Sequence, residues 1–245
     1  MLARLKATTA LGFRLATDRR YRQFYAQRKL VDLSVREHAA DQFAASLPRS
    51  IGNDIPSEAA VQMARDGFAP VPDLVTPAQV ADLRAYFNEL PAHDPYRPGL
   101  GKFRAPHDVP PQTHVSHYAN DAIAAAPHIF DIANDPRVLN TVERFLGCKP
   151  TLAAIRVWWS TPSASETPEH AENFHRDVDD LRFVKLFVYL TDVDDQSGPH
   201  IYAVGSHRKN VLTRIGRFTD AEVEAACGDE TIRRFTGPAG TSFLE

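Results

Sequence analysis

Two residues in the stretch Asn173-Phe174-His175-Arg176-Asp177 have the types and spacing to do chemistry together. Side chains alternate faces along an extended segment, so His175 and Asp177 point the same way and can grip one metal ion. A neutral imidazole and a carboxylate from one strand, joined by a second histidine from elsewhere, make the 2-His-1-carboxylate facial triad of non-haem Fe(II) oxygenases. The same two donors also suit a zinc-dependent hydrolase. A His-x-Asp pair recurs by chance, so its surroundings must decide what it is.

The elements around the pair read as β. Arg182 to Leu190 is a strand candidate with Lys185, Phe187 and Tyr189 on one face, followed by the acidic turn Thr191 to Ser197. Further candidates are His200 to Val204, Arg233 to Phe235 and Thr241 to Leu244, interrupted by a helix opened by the Thr219/Glu222 capping box. Before the pair, Thr151 to Ser160 alternates Ile155, Val157 and Trp159 with Arg156 and Trp158, again a strand pattern.

The first half reads as helical. Ser34 and Glu37 predict a capping box and a helix to about Leu47, and 48–56 reads as a linker. A short extended segment over Gly67 to Val71 follows. Thr76 with Gln79, Pro77 at the first helical position and Val75 against Val80 predict a helix carrying Leu83, Phe87 and Leu90. Pro91 to Tyr118 lacks sustained periodicity and is expected to be a lid or binding loop whose His107, His114 and His117 are solvated. Asp135 and Pro136 open another helix, closed by Gly147. Helices first and strands afterwards indicate an α+β protein whose second half is a sandwich or barrel, with 1–55 as a helical extension and 56–245 as the main domain.

A formal charge of -3 excludes general attraction to nucleic acid or anionic membrane, which leaves a small molecule as the expected partner. Cys148 and Cys227 are too few and too isolated for a disulfide scaffold, and no apolar run reaches the length of a membrane span. Cytoplasm is the default compartment. Eight Lys and Arg against the single Asp18 in residues 1–30 leave an organellar presequence open, beside the plainer reading of a basic helix packed through Phe13, Tyr21, Phe24 and Tyr25.

From His175 to His207 the order His-x-Asp, strand, acidic turn, Gly198-Pro199 and Gly205-Ser206-His207 resembles the phytanoyl-CoA dioxygenase family, with Val204 where that family commonly has proline. The resemblance extends over roughly 60–245. It implies a double-stranded β-helix core of the jelly-roll or cupin-like kind, with flanking helices. It also implies Fe(II), 2-oxoglutarate and O2 as cofactor and co-substrates, with ascorbate as an accessory reductant.

Carried over residue by residue, His175 and Asp177 are metal ligands and catalytic residues. Lys185, with Phe187 beside it, is the candidate for a carboxylate of 2-oxoglutarate, its alternative being a sheet-edge guard. Arg156 is a second candidate for that carboxylate, its alternative being a surface ion pair. The implied reaction couples decarboxylation of 2-oxoglutarate to succinate with hydroxylation of an unactivated C–H bond, and a retained Asp177 argues against halogenation. The family's distal histidine and carboxylate-anchoring arginine follow a late strand whose start resembles Gly237 to Leu244, so both are expected beyond Glu245, in a domain lacking its last strands. The alternative is a catalytically incompetent fragment or a non-enzymatic binding protein of the same fold.

Overall fold

In the computed structural model the described residues are 14, 16–50, 57–162, 168–169 and 172–245. Phe13, His170 and the boundary near residue 55 lie outside them. Helix α1 (Arg19–Gln27) is basic, and its Tyr21, Phe24 and Tyr25 are half-buried in a ring cluster of their own. Helix α2 (Leu33–Ala45) starts two residues earlier than the Ser34/Glu37 pattern predicts. Asp32 is the cap, accepting from the Val35 amide at 3.1 Å and from the Ser34 hydroxyl at 2.6 Å. Glu37 is drawn away to Arg182 instead of closing a box.

Helix α3 (Glu58–Asp66) is capped by Ser57 and ends on Gly67 at φ 81°. A left-handed residue is cheap only for glycine. Here a Cβ would also fall against the Tyr202 hydroxyl and His207 Nδ1, so the position tolerates no side chain. Strand β1 (Ala69–Pro70) leads to α4 (Pro77–Asn88), where both halves of the Thr76/Gln79 box are present and Val80, Leu83 and Phe87 are buried.

The stretch 91–118 is more ordered than its sequence suggests. It contains β2 (Ala92–His93), β3 (Lys102–Phe103) and β4 (Val115–Tyr118), each too short to show a period. Helices α5 (Asn120–Ala124), α6 (Ile129–Ala133) and α7 (Pro136–Leu146) follow, the last capped by Asp135 and closed by Gly147 as expected. Among the described residues no helix is long and apolar enough to cross a membrane.

Strand β5 (Trp158–Ser160) is only the end of the expected strand. Its partner β4 is four residues long, so residues 151–154 have no ladder to join and lie exposed. Next come β6 (Phe174–His175), β7 (Leu186–Val188), β8 (His200–Ala203), β9 (Arg217–Phe218), α8 (Asp220–Cys227), β10 (Ile232–Phe235) and β11 (Ser242–Leu244). The Thr219/Glu222 box opens α8 as predicted.

The sheets are small, antiparallel and ordered β3-β2-β4-β5, β1-β11-β7, β10-β8 and β6-β9. This is an α+β architecture. The sheet β11-β7 faces β10-β8 through stacked rings: Phe243 lies 4.4 Å from Phe235 and 5.1 Å from Phe187, and the Tyr189 hydroxyl donates to the Phe235 carbonyl at 2.8 Å. The main apolar core, including Met63, Leu83, Phe87 and Leu244, sits on the other side, under α3, α4 and α7.

Candidate metal centre

Strand β6 holds His175 by pairing it with Arg217 of β9, and the chain then runs extended enough to bring Asp177 round to the same side. The His175 Nδ1–H donates to the Asn173 carbonyl at 2.9 Å, because a carbonyl can only accept. That leaves Nε2 as the nitrogen available to a metal. It stands 3.3 Å from Asp177 Oδ1. Nitrogen and oxygen donors bind divalent metals at about 2.0–2.2 Å, so two adjacent ligands of one ion lie about 3 Å apart. The pair fits that spacing.

Without an ion the two groups stabilise each other. The hydrogen bond to Asp177 raises the His175 imidazole above its usual value, against the opposing effect of burial. Burial alone would raise Asp177, but hydrogen bonds from His175 and Lys185 outweigh it and hold the carboxyl well below the usual carboxylate range.

Lys185 lies in neither of its two expected settings in full. Its backbone is paired with Glu245 in both directions, at 2.8 and 3.0 Å, continuing the β7–β11 ladder. Its ammonium is hydrogen-bonded to Asp177 Oδ2 and lies 3.7 Å from Asp179. Phe187, two residues on, turns to the same side and packs 4.7 Å from the His200 ring. His175, Asp177 and Lys185 are therefore brought together, with Phe187 next along the strand.

Arg156 stands apart from this group. It is exposed in the segment before β5, and its charge acts on His117. His200 Nε2 is engaged by Glu245 at 2.6 Å. His207 packs against Phe145 and bonds the Ala64 carbonyl at 3.3 Å, in the niche closed by Gly67. Neither joins the His175/Asp177 pair, and among the described residues no group of three or more His, Cys, Asp or Glu could hold a metal ion.

The loop histidines divide. His107 is exposed, as expected, but His114 is 7% exposed and bonds Glu172 at 3.0 Å. Sequence reasoning missed it because its partner lies 58 residues away. With Arg97 held by both Asp94 and Glu169, this network fastens the segment just before His175 and Asp177 to the β2–β4 region. The acidic turn is also structural: Asp194 accepts from the Gln196 amide and Ser197 hydroxyl, and Asp192 from the Ala239 amide. Gly205 takes φ 74° and makes its turn without a preceding proline.

A His-x-Asp strand on an α+β scaffold of short antiparallel sheets is the arrangement expected of a non-haem oxygenase domain. Residues 63–243 match the phytanoyl-CoA dioxygenase (PhyH) family, and the chain belongs to it. The family is one of Fe(II)- and 2-oxoglutarate-dependent oxygenases. No curated protein matches the chain.

Proposed function

We propose that the chain is an Fe(II)- and 2-oxoglutarate-dependent hydroxylase of a small organic substrate, with 56–245 as its catalytic unit and 1–55 as a helical extension. The three sheets of the second half are then walls of a double-stranded β-helix. The observation that carries this reading is the 3.3 Å approach of His175 Nε2 and Asp177 Oδ1 beside Lys185, within a PhyH-family chain.

His175 and Asp177 would hold the iron. Bound iron supplies the activation of O2 that lets 2-oxoglutarate be decarboxylated and a C–H bond hydroxylated. The protein's own part starts with exchange. With a divalent cation held by the pair, the proton between His175 and Asp177 would pass to solvent, and Asp177 would have less charge left to offer the Lys185 ammonium. The freed ammonium then meets a carboxylate of 2-oxoglutarate, while Phe187 covers the adjacent wall and limits water.

The test is anaerobic Fe(II) titration followed by succinate release from 2-oxoglutarate on admitting O2. Saturable iron binding and iron-dependent succinate are expected, both lost in His175→Ala; zinc should bind without supporting turnover. Iron binding without succinate release would favour a second reading, a binding protein of this fold without catalysis. That reading is favoured by the two-donor set found among the described residues.

A further inference from the structure

The sheet β3-β2-β4-β5 has one face that the metal centre does not use. Its buried face carries Ala92, Ser116, Tyr118 and Trp159 against the core. Alternation sends their neighbours the other way, and the register aligns Lys102, His93, His117 and Trp158 as one row across the four strands. Arg156 precedes Trp158 by two residues and shares its face, as the alternating exposure of 155–160 shows.

This row runs into the proposed active site. The Trp158 ring stacks on His117 at 6.1 Å and meets Phe187 edge-on at 6.4 Å. Trp158 nonetheless remains 41% exposed, so a broad aromatic surface faces the space beside Phe187 uncovered. Among the described residues, neither the Arg156 guanidinium nor the Lys102 ammonium has a hydrogen-bond or ion-pair partner. Burial, then the nearby Arg156 charge, lowers the His117 pKa, so that ring offers a neutral flat surface and a hydrogen bond at pH 7.

We infer that this face is the floor of the substrate site and takes an organic anion, its flat or apolar body lying over Trp158 and His117 and its carboxylate or phosphate met by Arg156. Exposed arginines are commonly just solvated. Here an open tryptophan face beside Phe187 and a neutral imidazole stacked on it share a sheet face with a planar cation two residues before Trp158 that has no ion-pair partner among the described residues, which is the mixture of stacking surface and forked donor that recognises such a molecule. Lys102 lies three strand spacings from Trp158, about 14 Å at ~4.8 Å each, so it meets only the far end of a long substrate. The proposal rests on the hydroxylase reading for placing the reacting carbon at the Phe187 end; binding itself needs no metal.

The experiment titrates the purified full chain, with EDTA present, with 4-phenylbutyrate, 3-phenylpropyl phosphate and uncharged 4-phenylbutyramide, reading calorimetry and tryptophan fluorescence. Saturable binding of at least one anion is expected, with the amide roughly tenfold weaker or worse, as loss of a charge-assisted hydrogen bond implies. The order of the two anions tells carboxylate from phosphate. Arg156→Gln should weaken the anion about tenfold while keeping the parent's thermal midpoint. Trp158→Phe should abolish the fluorescence change, and Lys102→Gln should alter these short probes less than about twofold. Equal affinity for anion and amide, an unaffected Arg156→Gln, or no binding by any probe overturns the inference. Succinate release, measured separately, keeps the two readings distinct: turnover without anion binding sinks only this proposal, and anion binding without turnover sinks only the hydroxylase.

Discussion

Around α4 the side chains that fix the structure are sealed from water: Met63 is 1% exposed, and Leu83 and Phe87 are each 2%. From Phe174 to Leu190 nearly every side chain is half-buried, and the strands are held by backbone ladders, ion pairs and the Phe187–Phe243–Phe235 stack. The contrast teaches where each kind of force is useful. Apolar burial fixes position cheaply but leaves no donor free, whereas a metal pair needs polar atoms held in place and still reachable.

The contrast is most exposed to failure in a pair of substitutions. Phe87→Ala should cost about 3–5 kcal/mol in urea unfolding, the range for emptying an aromatic site in a sealed core. His175→Ala, in the open half, should cost less than about 1 kcal/mol. Similar losses from both would show that the strand half is as tightly determined as the helical one.

Caps provide a smaller and sharper comparison. Thr76 and Thr219 make the same reciprocal box, one over the sealed core and one beside the strands. Each change to alanine should cost about 1 kcal/mol, because the lost bond is local. A clearly larger loss at Thr219 would mean that α8 positions β6 and β9 more than local capping explains.

The smallest effect is in pH. Burial lowers the pKa of His207, more than the Ala64 carbonyl raises it, and burial likewise lowers that of His117. A histidine whose pKa is depressed in the fold is protonated first in the unfolded chain. Its contribution to stability is present above the unfolded value near 6.5 and is lost as pH falls toward the folded value. Thermal midpoints measured from pH 7.5 to 5 should therefore fall less steeply in His207→Gln than in the parent. A parallel slope would mean that other groups carry the acid sensitivity.

Much of this was legible in local sequence. The boxes at Thr76 and Thr219, the helix between Asp135 and Gly147, and the His175/Asp177 pair depend on residues within a few positions of one another. What was not legible depends on partners far along the chain. The strand expected over Thr151 to Ser160 shrank because β4 is short, Ser34 lost its cap role to Asp32 while Arg182 claimed Glu37, and His114 is buried by a glutamate no local pattern reveals. Lys185 is intermediate: its face could be read from alternation, but its ion pair with Asp177 needed the fold.

Arg182 reaches Glu37 and Asp41, 145 and 141 residues away, and Arg36 donates to the Leu181 carbonyl at 3.0 Å while Gln27 holds the Val178 carbonyl at 2.7 Å. These bonds enclose the backbone immediately after Asp177. Contacts of such long sequence separation require a large loop to close before they give any stabilisation, so they form late in folding. During synthesis Gln27, Arg36 and Glu37 lack these partners until residues 178–182 emerge. The order of events is then built into the chain: the sealed core can collapse first, and the His175/Asp177 pair acquires its final geometry only when the first helices meet the segment that follows it.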